Sequence, residues 1–378
     1  MTIEFRYAEF GEYHRISQFL DNYWAKDHVY VRKPELFKWT FSRSSLWDQA
    51  GYSFALAEDR DEVIGILGGI PFVFNSLGQV SRAVWLANFM VRPDYRRGPV
   101  ALRLLNMFRR PPYDAVIAFG NNPAIVPLYQ ALGAQILSEM PRHVAILPGA
   151  EKRMLDLLHM ACPQWPAHRA EALVHAFRLA DQEVDVSVRS VNSLPPSWDN
   201  CDWPQIASQT VGAARDLDYL RWRYQEHPCF TYRFIITPEG DRTGLAVWRL
   251  ETIRCVTSQG SEAVDRIGRL VELLPASRNN AKDLLSLFWR ELYDADALGA
   301  DYYGYHGKMG AWLREFGFHG VEGHPDGRAI PSRLQPLEWS DGCIHSAVFV
   351  RDEVPKCSID SHCIWYWTKS DADQDRPN

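Results

Sequence analysis

Three things are scarce in this 378-residue chain: long apolar runs, an excess of positive charge, and patterned cysteine. The most apolar stretch, "VIGILGGIPFVF" (63–74), is 12 residues long and is interrupted by glycines and a proline. That is too short and too broken to span a bilayer. A net charge of −6 offers no broad basic footprint, so neither a nucleic-acid partner nor an anionic membrane surface is expected. The seven cysteines are odd in number and scattered from Cys162 to Cys363, which fits neither a disulfide framework nor zinc-ribbon spacing. They read as core thiols, and no metal site is expected. The opening "MTIEFRYAEFGEYHRISQFL" carries acids and has no continuous apolar segment, so it is no secretory signal and the expected compartment is the cytoplasm.

Hydrophobic residue is plentiful, at 46%. This length exceeds what one core usually organises, so two domains are the starting expectation. Internal similarity supports them. "IEFR" (3–6) returns as "VSVR" (186–189), "LFKWTF" (36–41) as "YLRWRY" (219–224), and "YQALGA" (129–134) as "LREFGF" (313–318). All three share nearly one register, with Trp39 answering Trp222. A duplicated unit is the simplest origin. The expected boundaries are 1–148 for the first domain, 149–182 for a helical connector and 183–378 for the second. The connector holds "EKRMLDLLHMA" (151–161) and "AHRAEALVHAFRLA" (167–180), both with helical apolar spacing.

Within the first copy, "HRISQFLDNYW" (14–24) and "PELFKWTFSRS" (34–44) have helical periodicity, the second opening on a proline. Two strands flank the acidic turn "EDRDE" inside 53–74, and "SRAVWLANFMV" (81–91) is a third. A helix (100–108), a strand (113–120) and a helix ending on Gly133 (122–133) complete the order ααβββαβα. The expected class is therefore mixed α/β, antiparallel strands first and a βαβ unit last.

The junction "VRPDYRRGPVALRLL" (91–105) follows a strand and opens a helix. The first amides of a helix lack intrahelical acceptors, and the dipole adds about half a positive charge there, so such an end suits phosphate. Arg96 and Arg97 supply charge, and Gly98 lets backbone approach a ligand. A plain β-to-α connection with its arginines in water has the same spacing.

Val91, Pro93, Arg96 and above all "NNPAIVPLYQALGA" (121–134) resemble the GNAT superfamily of acyl-CoA-dependent N-acyltransferases. The resemblance implies a tandem pair of domains, each a mixed, mainly antiparallel sheet flanked by helices. It implies that the loop around Arg96, Arg97, Gly98, Val100 and Ala101 holds the coenzyme A pyrophosphate, with Asn122 near the pantetheine. It also implies that Tyr129 protonates the departing thiolate and that backbone N–H near Met90 or Val91 receives the oxyanion. One position departs from the family: Pro99 stands where glycine is usual, removing a backbone donor. In the second copy the loop "LLPASRNNAKDLLSLF" (273–288) has no glycine, and Leu313 stands where Tyr129 would fall. That copy is expected to have lost catalysis and to shape the acceptor side.

Acyl transfer needs a neutral amine, a place for the oxyanion and an acid for sulfur. Tyr129 is the candidate acid, although a tyrosine packed on a helix face has the same pattern. His306, at the position equivalent to Asn122, is the candidate base because an unperturbed imidazole titrates near neutrality; a structural histidine is the plainer alternative. "DLDYLRWRYQEHPCFTY" (216–232) and the tail "YWTKSDADQDRPN" (366–378) resemble segments of duplicated acetyltransferase-like proteins linked to bacterial surface-polysaccharide genes. This implies an amino-sugar acceptor, free or nucleotide-linked. Trp222, Tyr224, Phe230 and Tyr232 read as core, and the acidic tail as a solvated end. The expected function is transfer of an acetyl or short acyl group from acyl-CoA, without metal, to an amine. The alternatives are a catalytically inactive tandem scaffold and a Fem-type aminoacyl transferase, and the oligomeric state stays open.

Overall fold

The computed structural model describes residues 3–43, 45–120, 123–137, 139–161, 163–180, 194–239, 242–256, 262–305, 309–331, 333–334, 337–338, 344–351 and 365–377. The first half runs β1 (Glu4–Tyr7), α1 (Tyr13–Tyr23), α2 (Val29–Arg32), α3 (Pro34–Phe41), β2 (Phe54–Asp59), β3 (Glu62–Ser76), β4 (Gln79–Val91), α4 (Val100–Phe108), β5 (Ala115–Phe119), α5 (Val126–Ala131), β6 (Gln135–Leu137) and β7 (Arg142–Ile146). Helices α6 (Glu151–Ala161) and α7 (Ala167–Ala176) follow. The second half runs α8 (Trp198–Cys201), α9 (Trp203–Ala207), β8 (Val211–Ala213), α10 (Leu217–Leu220, continued as a π turn to Gln225), β9 (Arg233–Glu239), β10 (Arg242–Val256), β11 (Glu262–Leu274), α11 (Arg278–Asp294), β12 (Gly299–Tyr305), α12 (Met309–Glu315) and β13 (His319–Gly320). A small hairpin, β14 (Arg333–Leu334) and β15 (Leu337–Glu338), precedes β16 (Ser346–Val350) and β17 (Trp365–Thr368).

The expected mixed, mostly antiparallel sheet flanked by helices is present. β3 is apolar almost throughout because both its faces are covered. Ile66, Ile70, Phe72 and Phe74 belong to one core, while Ile64 and Leu67 belong to the other. The turn before it is the one read from "EDRDE": Arg60 and Asp61 both take left-handed φ, 52° and 67°, as a two-residue hairpin loop requires. The glycines of "GILGG" set the helices close to the sheet. A side chain at Gly69 would collide with the Phe108 ring, and one at Gly65 would press on Val100 and Leu104, so α4 lies against bare backbone.

The halves are joined by an exchange of strands. β7 leaves the first half to pair antiparallel with β12 and β13, and β16 leaves the second to insert between β5 and β6. β8 and β17 then bridge β3 to β12, making one fifteen-stranded sheet. Trp39 and Trp222, the pair that aligned the repeat, stack on each other at 4.8 Å and 19°. Arg43 lies over the Trp222 ring and Arg223 over Trp39. Trp222, Tyr224 and Tyr232 are buried, in keeping with a core role.

The tail corrects one expectation. Its acidic residues are not solvated. Asp371 accepts from Arg215 Nη2 at 2.7 Å and from Tyr219 Oη at 2.8 Å, while Asp375 accepts from Arg249 Nη2 at 2.8 Å and Tyr232 Oη at 2.6 Å. Burial alone would raise the Asp375 carboxyl, but the Arg249 guanidinium outweighs it and holds Asp375 well below the usual carboxylate range. Local sequence hides this, because Arg215, Tyr219, Tyr232 and Arg249 all lie more than a hundred residues away.

Candidate acyl-CoA site

β4 and β5 pair in parallel from Ala83–Ala115 to Leu86–Ala118, and there the ladder stops. From Ala87 to Val91, β4 has a single described neighbour, β3. The strands therefore part at their C-terminal ends. The separation coincides with a bulge: Ile66 pairs with Met90 and Gly68 with Ala87, so Asn88 and Phe89 together oppose Leu67. On the far side, β5 ends at Phe119, and the following Gly120, with φ of 70°, has the Gln374 side chain of the tail packed against it.

α4 begins beside this gap. Pro99 is its N-cap and makes no side-chain cap, so the amides of Val100, Ala101 and Leu102 remain as first-turn donors. No acidic residue occupies that turn, and Arg97 and Gly98 are exposed. Among the described residues Arg97 has no ion-pair or hydrogen-bond partner. Arg96 is differently employed: its Nε donates to the Val91 carbonyl at 3.0 Å and its guanidinium reaches Met90 Sδ, tying the loop to the end of β4. Met90 is half-buried and Val91 buried.

Tyr129 is 2% exposed, packed edge-on against Phe349 of the exchanged strand β16 at 5.6 Å. Burial pushes its phenol up and keeps it protonated, and its hydroxyl bonds to no described residue. The helix carrying it ends, as read, on Gly133 with φ 85°. Asn122 and His306 lie outside the described residues. Among the described residues no three His, Cys, Asp or Glu side chains gather to hold a metal ion. A surface cleft of about 680 Å³ between Phe5, Tyr7, Arg103 and Arg110 lies toward the other end of α4 and involves none of the predicted residues.

The second half repeats the layout with the gap filled. The β11–β12 ladder also stops, at Leu270–Tyr302. Beyond it, Tyr366 Oη accepts from Leu273 N at 3.1 Å and donates to Glu272 Oε2 at 2.6 Å. Glu272 also accepts from Arg215 Nε at 2.8 Å and Tyr224 Oη at 2.5 Å, and it is sealed from solvent. Burial raises its carboxyl, and Arg215 opposes that. At the start of α11, Ser277 caps Asn280 N, and Asn280 reaches Thr237 Oγ1 at 2.7 Å. Arg278 is ion-paired with Glu315. The chain's own side chains thus occupy both the C-terminal end of β11 and the start of α11.

No family model matches the sequence, and no curated protein matches it in sequence. Solved structures do match in three dimensions. Saccharomyces cerevisiae N-myristoyltransferase with bound myristoyl-CoA and inhibitors superposes with a TM-score of 0.53 at 10% identity, covering 92% of this chain and 80% of that one. A probable N-acyltransferase from Enterococcus faecalis gives 0.53 at 11% identity, over 93% and 73%. A GCN5-related N-acetyltransferase from Anabaena variabilis gives 0.52 at 13% identity, over 94% and 74%. The chain has the GNAT-type fold. At these identities the likeness is one of fold, and activity must be argued from the site. No described helix is long and apolar enough to cross a membrane.

Sequence reading missed Asn88. Its signal was available: it is the one polar residue in the apolar run "VWLANFMV" (84–91), and an asparagine there marks a bulge or a left-handed turn.

Proposed function

We propose that the protein is an acyl-CoA-dependent N-acyltransferase with one working site, in the first half. The observation that carries this is the open end of β4 beside the uncapped start of α4. On this reading the Val100, Ala101 and Leu102 amides, with Arg97, receive the diphosphate of the coenzyme, and the thioester lies where β4 parts from β5. A neutral amine attacks the acyl carbon, the carbonyl pair moves onto oxygen, and backbone N–H near Met90 or Val91 stabilises it. Collapse breaks the C–S bond: Tyr129, held protonated by burial, delivers its proton to sulfur, and the proton that nitrogen sheds as the amide forms goes to the base, for which His306 is the candidate. The family resemblance of the sequence and the acyltransferase fold support this assignment.

We place the acceptor amine on a sugar, free or nucleotide-linked, as in polysaccharide biosynthesis. Support comes only from the resemblance of 216–232 and 366–378. Those segments build the junction between the halves, so they speak for a shared architecture more than for contacts with an acceptor. Incubation with acetyl-CoA and a panel of nucleotide-linked amino sugars, read as free thiol, tests the reading. Release that depends on one amine supports it, and no release with any acyl-CoA and amine pair counts against it and favours the scaffold.

A further inference from the structure

Asn88 is the residue this site does not yet use. It is 5% exposed, at the point where β4 has just left β5, and among the described residues neither its Nδ2 nor its Oδ1 has a hydrogen-bond partner. A buried carboxamide without partners is costly, and native structures keep such groups where something else completes them. Its backbone is also unusual, with φ at 51° in the left-handed region, which asparagine tolerates better than most residues. The bulge recurs in the second half, where Val247 pairs with Glu272 and Trp248 with Leu270, leaving Val271 at the matching place. Val271 is apolar, buried and free of positive φ. The bulge is thus shared architecture, while the carboxamide occurs only where the gap is open.

We propose that Asn88 is a further catalytic residue: its Nδ2–H donates to the carbonyl oxygen of the bound acyl thioester and strengthens that bond as the oxygen gains charge. The assignment rests on the acyl-CoA reading above. As the amine nitrogen bonds to carbon, the carbonyl pair shifts to oxygen facing Nδ2–H, beside the backbone donors at the end of β4. The same oxygen returns that pair when the thiolate leaves. Oδ1, on the adjacent position of the carboxamide, is placed to accept from the incoming N–H, since nitrogen and oxygen sit on one carbon in the intermediate. A neutral carboxamide adds no charge that would hold the amine protonated.

The test uses the full chain with carbonyl-labelled ¹³C acetyl-CoA and with CoA. In the unaltered protein the bound thioester carbonyl band falls to lower frequency than in solution, and acetyl-CoA binds more tightly than CoA. Asn88→Gly keeps the left-handed backbone without strain and removes only the carboxamide. It is expected to return the band toward its solution value and to lower the preference for acetyl-CoA over CoA about tenfold, leaving CoA affinity unchanged. Asn88→Asp, close in size, replaces the donor with an acceptor and gives the same readout should the glycine variant lose CoA binding. A band and a preference that persist in both variants overturn the proposal and leave Asn88 a backbone device. Failure of the unaltered protein to bind acetyl-CoA overturns the site reading, and this assignment with it.

Discussion

Both halves carry the run β–β–β–α–β–α, from β2 to α5 in the first and from β9 to α12 in the second, and they diverge at the C-terminal end of its third strand, β4 or β11. In the first half β4 parts from β5 with nothing described beside it, and α4 starts uncapped with exposed Arg97 and Gly98. In the second half Tyr366, Arg215 and Tyr224 converge on Glu272, and Ser277 caps α11. On the proposed reading the first of these ends is a cofactor slot. Its counterpart is a buried network that fastens the tail through Asp371, and through the tail the other half.

Breaking the fastening has the largest expected effect. Arg215→Met leaves Glu272 and Asp371 buried without their guanidinium, which costs about 3–5 kcal/mol, read from the shift of a urea unfolding curve. A shift below 1 kcal/mol would mean the network is ornamental. Tyr129→Phe addresses the open half. The ring still packs on Phe349, so stability holds, while turnover falls about 10²-fold with acetyl-CoA affinity unchanged. Undiminished turnover removes Tyr129 from the mechanism.

Acid loosens the junction without touching the slot. Burial, helped by neighbouring arginines, lowers His28 and His227 to about 3 and His143 to about 4. His227 packs on Trp39, His28 lies by Arg376 of the tail, and His143 is in the exchanged strand β7. All three are neutral when folded and take up protons on unfolding. Their contribution is complete above the unfolded value near 6.5 and is lost as pH falls toward the folded values, at about 1.4 kcal/mol per pH unit each. Tm measured from pH 7 to pH 4.5 should drop steadily, and a flat profile refutes the burial of neutral imidazoles. The smallest effect is at the second helix start: Ser277→Ala costs about 1 kcal/mol of stability and leaves acetyl-CoA binding unaltered.

Much of this was legible because the deciding forces were local. α4 fell on 100–108 as read, since its leucines recur at helical spacing and Pro99 marks its start. The hairpin at Arg60–Asp61 and the glycine stop at 133 follow from φ preferences of single residues. Trp39 and Trp222 could be paired from the repeat alone, although not that they would touch. The exchange of β7 and β16 leaves no local trace, because a strand reads the same in either sheet. The buried tail was missed for a related reason: Asp371 and Asp375 look like solvent residues until Arg215 and Arg249, 156 and 126 positions away, are brought against them. At the proposed site, the loop and Tyr129 are expectations from pattern, whereas the bond of Arg96 to the Val91 carbonyl could not be read, since it depends on how β4 ends.

One half is proposed to bind acyl-CoA and the other not, and calorimetric titration of the full chain with acetyl-CoA tells these apart. One site per chain is expected. Arg97→Glu with Ala101→Asp should abolish it, even though an acid in the first turn of α4 favours the helix itself, whereas Arg278→Glu in the second half should leave it intact. Two sites, no site, or a site lost with Arg278→Glu would contradict it.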